Sequence, residues 1–168
     1  MGRSDLTRSV RPLTLPRFRF LIRNTPNGLL PTYLRDKAEV GAPLEFTGPL
    51  GSFYLREIRR PSLFLAGGTG LAPFLAMLEM VSHTGSKQPI HLIYGVTNDP
   101  DLVLVERLET FAHRLPSFSF ACCVADEKST HPNKGYVTRY IEPGHMHGGM
   151  WTLTCAGRHQ WSTRCATT

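Results

Sequence analysis

A glycine-rich tetrapeptide, Gly67-Gly68-Thr69-Gly70, is the segment best suited to binding a charged ligand. It follows an apolar run at Ser62–Ala66 and leads into a helical pattern at Leu71–Val81, with Pro73 in the first turn, where proline removes no needed N–H group. Such a turn collects free backbone N–H groups and the positive end of a helix, which suits an anion such as a pyrophosphate. A tight turn with no ligand would use the same residues, so the tetrapeptide alone leaves both interpretations open.

The segments around this turn alternate between strand and helix. Further strands are predicted at Ile90–Tyr94 and Phe118–Val124, with a helix at Asp101–Arg114 between them. This alternation indicates a parallel sheet with right-handed crossovers. Residues 59–149 are therefore predicted to form an α/β domain that has its glycine turn at the carboxyl edge of a parallel sheet.

A different pattern precedes this domain. Short strands are predicted at Phe18–Arg23, Leu44–Thr47 and Ser52–Leu55, and a short helix at Leu29–Glu39. The two ends of the chain have no sustained hydrophobic period, which predicts irregular tails at residues 1–19 and 150–168.

A longer string of residues is more specific than the tetrapeptide. Phe64–Leu78, with Gly48–Phe53 upstream and Tyr94-Gly95 after the second strand, resembles the ferredoxin–NADP reductase family. Within that family, three segments are most similar to reductase components of aromatic-ring dioxygenases of the benzoate 1,2-dioxygenase type: Phe20–Gly28, Tyr33–Lys37 and Ile93–Asn98. The resemblance covers about residues 20–149.

This resemblance implies a fold and an activity. Residues 59–149 would form a nucleotide-binding α/β domain for NADH, and residues 20–58 part of an antiparallel β-barrel that binds FAD. Such a reductase takes hydride from NADH onto FAD and passes single electrons through an iron–sulfur cluster to an oxygenase component. The cofactors carry the chemistry, so no catalytic acid, base or nucleophile is assigned.

The resemblance also implies which residues meet the cofactors. The path of the NADH pyrophosphate and nicotinamide would be lined by Gly67, Gly68, Thr69, Gly70 and Pro73, and the FAD pyrophosphate by Gly28, Leu30, Pro31 and Thr32. Pro31 stands where the family commonly has serine and offers neither a hydroxyl nor an N–H group, although Thr32 could substitute. Phe53 could approach the flavin, or could be a core aromatic on an alternating strand.

Two acidic residues, Asp126 and Glu127, follow the third predicted strand, near the expected position of an adenine ribose. An acidic group there would repel a 2′-phosphate, so NADH is favoured over NADPH. A solvated acidic loop explains the same residues, and this alternative stays open.

Two motifs that the family needs are missing: an Arg-x-Tyr-Ser-x-Ser strand that binds flavin, and a late Cys-Gly-Pro-Pro-Pro-Met. A shifted reading frame, in which each codon's third base is joined to the first two bases of the next codon, can restore both motifs. In that frame Cys155–Ser162 can encode Cys-Gly-Pro-Pro-Pro-Met-Val, and Ser4–Arg11 can encode Arg-Ser-Tyr-Ser-Phe-Ser-Ser. We therefore hypothesise that both ends are frameshifted translations of a reductase gene. The gene's DNA sequence tests this, and a CAG codon at Gln160 would contradict it.

The formal net charge of +6 comes entirely from the two ends, since residues 21–149 hold as many basic as acidic residues. The Arg-rich start has no recognition helix, so no nucleic-acid partner is expected. No apolar run approaches the roughly 20 residues of a membrane span and no signal-peptide pattern is visible, so no membrane association and a cytoplasmic location are expected. The alternative to the reductase is an inactive reductase fragment, or a basic binding module without redox activity.

The cysteines and histidines predict no metal site. The zinc candidates fit no closed tetrahedral pattern: His145, His147, Cys155, His159 and Cys165. The cysteine spacing of a plant-type cluster is also absent, so no iron–sulfur centre is expected. Cys122 and Cys123 lie on a predicted strand, where a packing role is favoured over redox chemistry.

Overall fold

The computed structural model describes residues 18–48, 50–142 and 151–157. The chain divides into two compact units, residues 1–53 and 54–168, and each is described by itself. The boundary predicted from the sequence lies five residues further on, between residues 58 and 59.

The described residues of the second unit form a four-stranded parallel sheet with helices between its strands. The strands are β1 (Ser62–Gly67), β2 (Ile90–Val96), β3 (Phe118–Val124) and β4 (Thr152–Ala156). Their spatial order is β3-β2-β1-β4, and every neighbouring pair is parallel. The predicted α/β class and parallel sheet are therefore confirmed, and the first three strands lie where the sequence places them.

The central strands are buried because they are apolar along almost their whole length, as parallel strands covered on both faces must be. Leu63, Leu65 and Ile93 pack on one face with Cys123 and Val137. On another side of β1, the ring of Phe64 stacks against that of Phe74 with centroids 4.8 Å apart.

Strand β4 corrects the prediction of an irregular tail at residues 150–168. Its five residues pair with β1, with Leu65 opposite Cys155 and Ala66 opposite Ala156. The segment includes two threonines and so lacks the continuous apolar run that predicts a buried strand, and Thr152 and Leu153 are exposed in the structure. The backbone hydrogen-bonding partners of this strand lie on the edge of β1, far away in the chain, so the local sequence pattern does not predict the pairing. Ser4–Arg11 and residues 158–162 of the two frameshift segments lie outside the described part of the chain, and the frameshift hypothesis stays a prediction.

Two helices connect the strands. The first of these, α2 (Leu71–Thr84), follows β1 and buries Leu71, Phe74 and Leu78. The second, α3 (Val105–Arg114), begins four residues later than predicted. The reason is that Asp99–Asp101 form a 3-10 turn and Leu104 adopts a left-handed conformation with φ of 62°, which a continuous right-handed helix cannot contain.

Among its described residues, 18–48 and 50–53, the first unit contains one helix, α1 (Leu29–Asp36), within the predicted range Leu29–Glu39. The residues described between 18 and 58 include no β-strand, so the predicted strands at Phe18–Arg23, Leu44–Thr47 and Ser52–Leu55 are wrong. The partial antiparallel barrel is not confirmed. A strand exists only when a partner takes up its backbone hydrogen bonds, and no described segment of this unit does so.

Candidate nucleotide site at the carboxyl edge of the sheet

The predicted glycine turn begins at Gly67, the last residue of β1, at the carboxyl edge of the parallel sheet. Gly68, Thr69 and Gly70 form a single 3-10 turn that passes without interruption into α2. Gly68 has φ of +54°, a conformation that side chains with a Cβ rarely adopt, and the space where its Cβ would stand is open. Thr69 is exposed beside it. The turn therefore presents bare backbone to solvent at the positive end of a 14-residue helix.

Gly70 serves a different purpose from Gly68. A Cβ on Gly70 would overlap the backbone carbonyl of Ala156 and stand 2.8 Å from the amide nitrogen of Gly157. The end of β4 therefore passes directly over Gly70, so a close approach within the protein explains this glycine without any ligand. Gly67 also faces that segment, because the Cβ position of Gly157 is 3.4 Å from the Gly67 Cα.

Pro73 lies in the first turn of α2 and is half-buried. The missing N–H group costs nothing there, because amides in the first turn have no partner within the helix. Its position next to the glycine turn is as predicted, and a role along the nicotinamide path stays a prediction.

The residues after β2 and β3 form two adjacent loops at the same edge. Hydrogen bonding between the strands continues past their ends, with Ala125 N–H donating to Val96 O and Asp126 N–H to Thr97 O, both at 2.9 Å. Asp126 is half-buried, and its Oδ1 accepts the Lys128 amide at 3.0 Å. Asp126 therefore lies at the sheet edge, and its side chain stabilises the turn that begins there. Glu127 is exposed.

Four of the five predicted flavin residues lie at the start of α1 in the first unit: Gly28, Leu30, Pro31 and Thr32. Gly28 is the residue before the helix, and its carbonyl accepts the Thr32 amide at 3.0 Å, so that amide is already used within the helix. Pro31 brings no N–H group. Leu30 and Phe53 are each about half exposed. The structure therefore brings Gly28, Leu30, Pro31 and Thr32 together through one short helix, and the part of this unit that the structure describes includes none of the strands that a flavin-binding barrel would add.

The two adjacent cysteines of β3 are buried free thiols. Burial raises the pKa of Cys122 to about 11, with a smaller contribution from the charge of Glu109. Burial likewise raises the pKa of Cys123 to about 12, assisted by Cys122. Unfolded thiols ionise near pH 8.5, so the contribution of these two groups to stability is complete below that pH and is lost as pH rises through 11 and 12.

We expect these thiols to resist alkylation in the folded protein. At pH 8 Cys122 would hold roughly 200-fold less thiolate than an ordinary cysteine and Cys123 roughly 2000-fold less. The thiolate is the reactive form. Treatment with iodoacetamide followed by mass spectrometry of the peptide containing Cys122 and Cys123 measures this. Labelling should require urea, and rapid labelling of the native protein would show that β3 is not buried in this way.

Metal ligation finds no support among the described residues, which contain no cluster of three or more potential ligands. Of the zinc candidates, Cys155 lies on β4, and His145, His147, His159 and Cys165 lie outside the described residues. Over the same described ranges, no helix has the length and apolar character needed to cross a membrane.

A parallel α/β sheet with a glycine turn between β1 and the helix that follows it, α2, is typical of dinucleotide-binding domains. Comparison with known proteins agrees with this assignment. The family model described as "Oxidoreductase NAD-binding domain" matches residues 64–160, more than half of the chain. The chain belongs to this family, which is part of the ferredoxin–NADP reductase group that the sequence resembles.

Individual relatives are electron-transfer proteins. The chain is 58% identical over 130 residues to the toluate 1,2-dioxygenase electron transfer component of Pseudomonas putida, covering 77% of this chain and 39% of that protein. It is 45% identical over 132 residues to the 2-halobenzoate 1,2-dioxygenase electron transfer component of Burkholderia cepacia, with the same coverage. An Amycolatopsis cytochrome P450 reductase of known structure matches with a TM-score of 0.71 and 27% identity, over 80% of this chain and 42% of that one. The chain thus spans about two fifths of the length of these relatives.

The structure also reveals functional candidates that the sequence pattern missed. Gly157 packs beside Gly67, and Ser129 links the two loops at the sheet edge. The local sequence signal for Ser129 is its position three residues after Asp126, which is the spacing of a β-turn. The Ser129 amide indeed donates to Asp126 O at 3.1 Å.

Proposed function

We propose that this chain is the NADH-binding part of an electron-transfer reductase of the aromatic-ring dioxygenase type. The observation that carries the proposal is the open glycine turn at Gly68, which meets the positive end of α2 at the carboxyl edge of the sheet. In a reductase of this class the chemistry would be transfer of hydride from NADH to a flavin and of single electrons onward to an oxygenase component, and the part of this chain would be to bind and orient the NADH. The relatives' names, which describe electron transfer components of dioxygenases, support this reaction class.

The nucleotide would bind through backbone groups rather than through a cationic side chain. The pyrophosphate would lie over Gly68 and Thr69, where no Cβ from Gly68 holds it away from the main chain. Asp126, at the end of β3, would face the adenine ribose and disfavour a 2′-phosphate, so NADH is the proposed partner rather than NADPH. The free thiols of Cys122 and Cys123 fit a reducing compartment, and a cytoplasmic location is part of the proposal.

The residues proposed for FAD fit that group poorly. Pro31 removes an N–H group, the Thr32 amide is bonded to Gly28, and the described part of the first unit has no strand to form a barrel. We therefore derive no step through the flavin. The same observation favours a second candidate, a reductase fragment that binds NADH without redox activity. Titration with FAD, monitored by the visible absorbance of the flavin, separates the two candidates. A redox-active chain would bind FAD and its absorbance would bleach when NADH is added, whereas the fragment would bind NADH without this change.

A matched pair of substitutions at Gly68 tests the nucleotide site. Aspartate and asparagine have the same shape and both tolerate the left-handed conformation, so Gly68→Asp and Gly68→Asn differ only in charge. We expect the Kd for NADH to be about tenfold higher in the aspartate variant than in the asparagine variant. This difference corresponds to about 1.4 kcal/mol of repulsion between the added carboxylate and the pyrophosphate. Isothermal titration calorimetry measures both affinities.

The salt dependence of this difference is a further check, since screening should shrink the gap between the two variants at high ionic strength. Equal affinities of the two variants for NADH at low salt would mean that the pyrophosphate does not lie over Gly68.

A further inference from the structure

The two loops at the carboxyl edge are tied together by a partly buried side-chain hydrogen bond. Ser129, in the loop after β3, is 3% exposed, and its hydroxyl donates to Oδ1 of Asp99 in the loop after β2. The same Ser129 oxygen accepts the His131 amide at 2.9 Å. A buried hydroxyl that uses both its donor and its acceptor capacity is held in one orientation, and a charged acceptor strengthens the bond.

Each side of this link is itself fixed to the sheet. On the β2 side, the Tyr94 hydroxyl donates to Asp101 O at 3.2 Å, and the Asn98 amide donates to the Asp101 carboxylate at 3.1 Å. On the β3 side, the Asn133 side-chain amide donates to Cys122 O at 2.9 Å. The link therefore joins two anchored loops, and the loop after β3 is held at its middle as well as at both ends.

Asp126 is the group that this arrangement orients. Its amide continues the bonding with β2, its Oδ1 accepts from Lys128, and its carbonyl accepts from Ser129. A carboxylate held in this way is preorganised, so a ligand that contacts it loses little additional conformational entropy on binding. Without the Ser129 hydroxyl, the turn that carries Asp126 would lose its connection to Asp99.

We propose that the Ser129–Asp99 hydrogen bond positions Asp126 for recognition of the ribose hydroxyls of the nucleotide, which makes Ser129 and Asp99 positioning residues for the choice between NADH and NADPH. This inference rests on the proposed function. Under this inference, Ser129 and Asp99 act on the ligand through Asp126 rather than by direct contact.

The test measures the affinities of Ser129→Ala and Asp99→Ala for NADH and for NADPH. We expect each variant to bind NADH 3- to 10-fold more weakly and to lose most of the preference for NADH. The double variant should be no weaker than either single variant, because both substitutions remove the same bond. Asp99 is exposed, so its variant reports on the link even if loss of the buried Ser129 hydroxyl harms folding.

The control is Ser119→Ala, which removes another serine hydroxyl bonded to a neighbouring strand, here to His91 at 2.8 Å, but on an exposed part of β3. Its affinities should equal those of the unsubstituted chain. An unchanged NADH preference in both Ser129→Ala and Asp99→Ala would overturn the inference while leaving NADH binding intact. Failure of the unsubstituted chain to bind NADH would overturn the proposed function and this inference with it.

Discussion

Replacing Gly70 with valine should lower the free energy of unfolding of the second unit by about 3 kcal/mol or more. The added Cβ would overlap the Ala156 carbonyl, which is backbone and cannot rotate away as a flexible side chain can. Either β4 must separate from β1 or the glycine turn must move off the strand. Urea denaturation followed by far-ultraviolet circular dichroism measures the loss.

Two neighbouring glycines provide controls for this substitution. Gly157→Ala would bring the new methyl group to 3.4 Å from the Gly67 Cα, a tolerable contact at an exposed residue, and should change stability by less than about 0.5 kcal/mol. Gly68→Ala meets open space but has φ of +54°, so it should cost about 1 kcal/mol through backbone strain alone. If Gly70→Val is as stable as Gly157→Ala, the end of β4 does not pass over the turn.

Replacing Phe74 with alanine should cost 3–5 kcal/mol, which is about the whole stability of many small domains. The Phe74 side chain is fully buried in α2 and stacks on Phe64 of β1, which is itself 3% exposed. Its removal leaves a cavity between the helix and the strand, and the surrounding elements can collapse only partly. The same urea titration measures the change in the free energy of unfolding.

Phe46→Ala is the matched control. Phe46 also contacts aromatic rings, those of Phe18 and Phe20, but half of its surface is exposed and it belongs to the first unit. The loss of this half-exposed ring should therefore lower the free energy of unfolding by less than about 1 kcal/mol. A loss of less than about 1 kcal/mol in Phe74→Ala would show that α2 is not packed on β1 through this residue.

These two expectations bear on function because α2 and β1 meet at the glycine turn. The orientation of the backbone at Gly68 depends on a helix held to its strand by Phe74 and on a strand, β4, that passes over Gly70. Substitutions at either place should weaken NADH binding indirectly, through stability. The paired substitutions at Gly68 differ only in charge, so their difference in affinity isolates the contact with the ligand.

The amino-acid sequence by itself determined the parts of this protein whose physical cause is local. Three strands are near-continuous apolar runs. The glycine turn between Ser62–Ala66 and Leu71–Val81 indicates that a strand ends there and a helix begins. These features also predicted where the nucleotide site should lie, because the carboxyl edge of a parallel sheet follows from the order of strand and helix.

Only the tertiary structure decided the features that depend on a distant partner. Thr152–Ala156 became a strand because β1 offered an open edge, and the segments at Phe18–Arg23 and Leu44–Thr47 did not, because no described segment pairs with them. Gly70 and Ser129 acquired their roles from residues 86 and 30 positions away, Ala156 and Asp99. Backbone pairing and close packing between remote segments leave no periodic pattern in a sequence, since they are properties of two surfaces in contact.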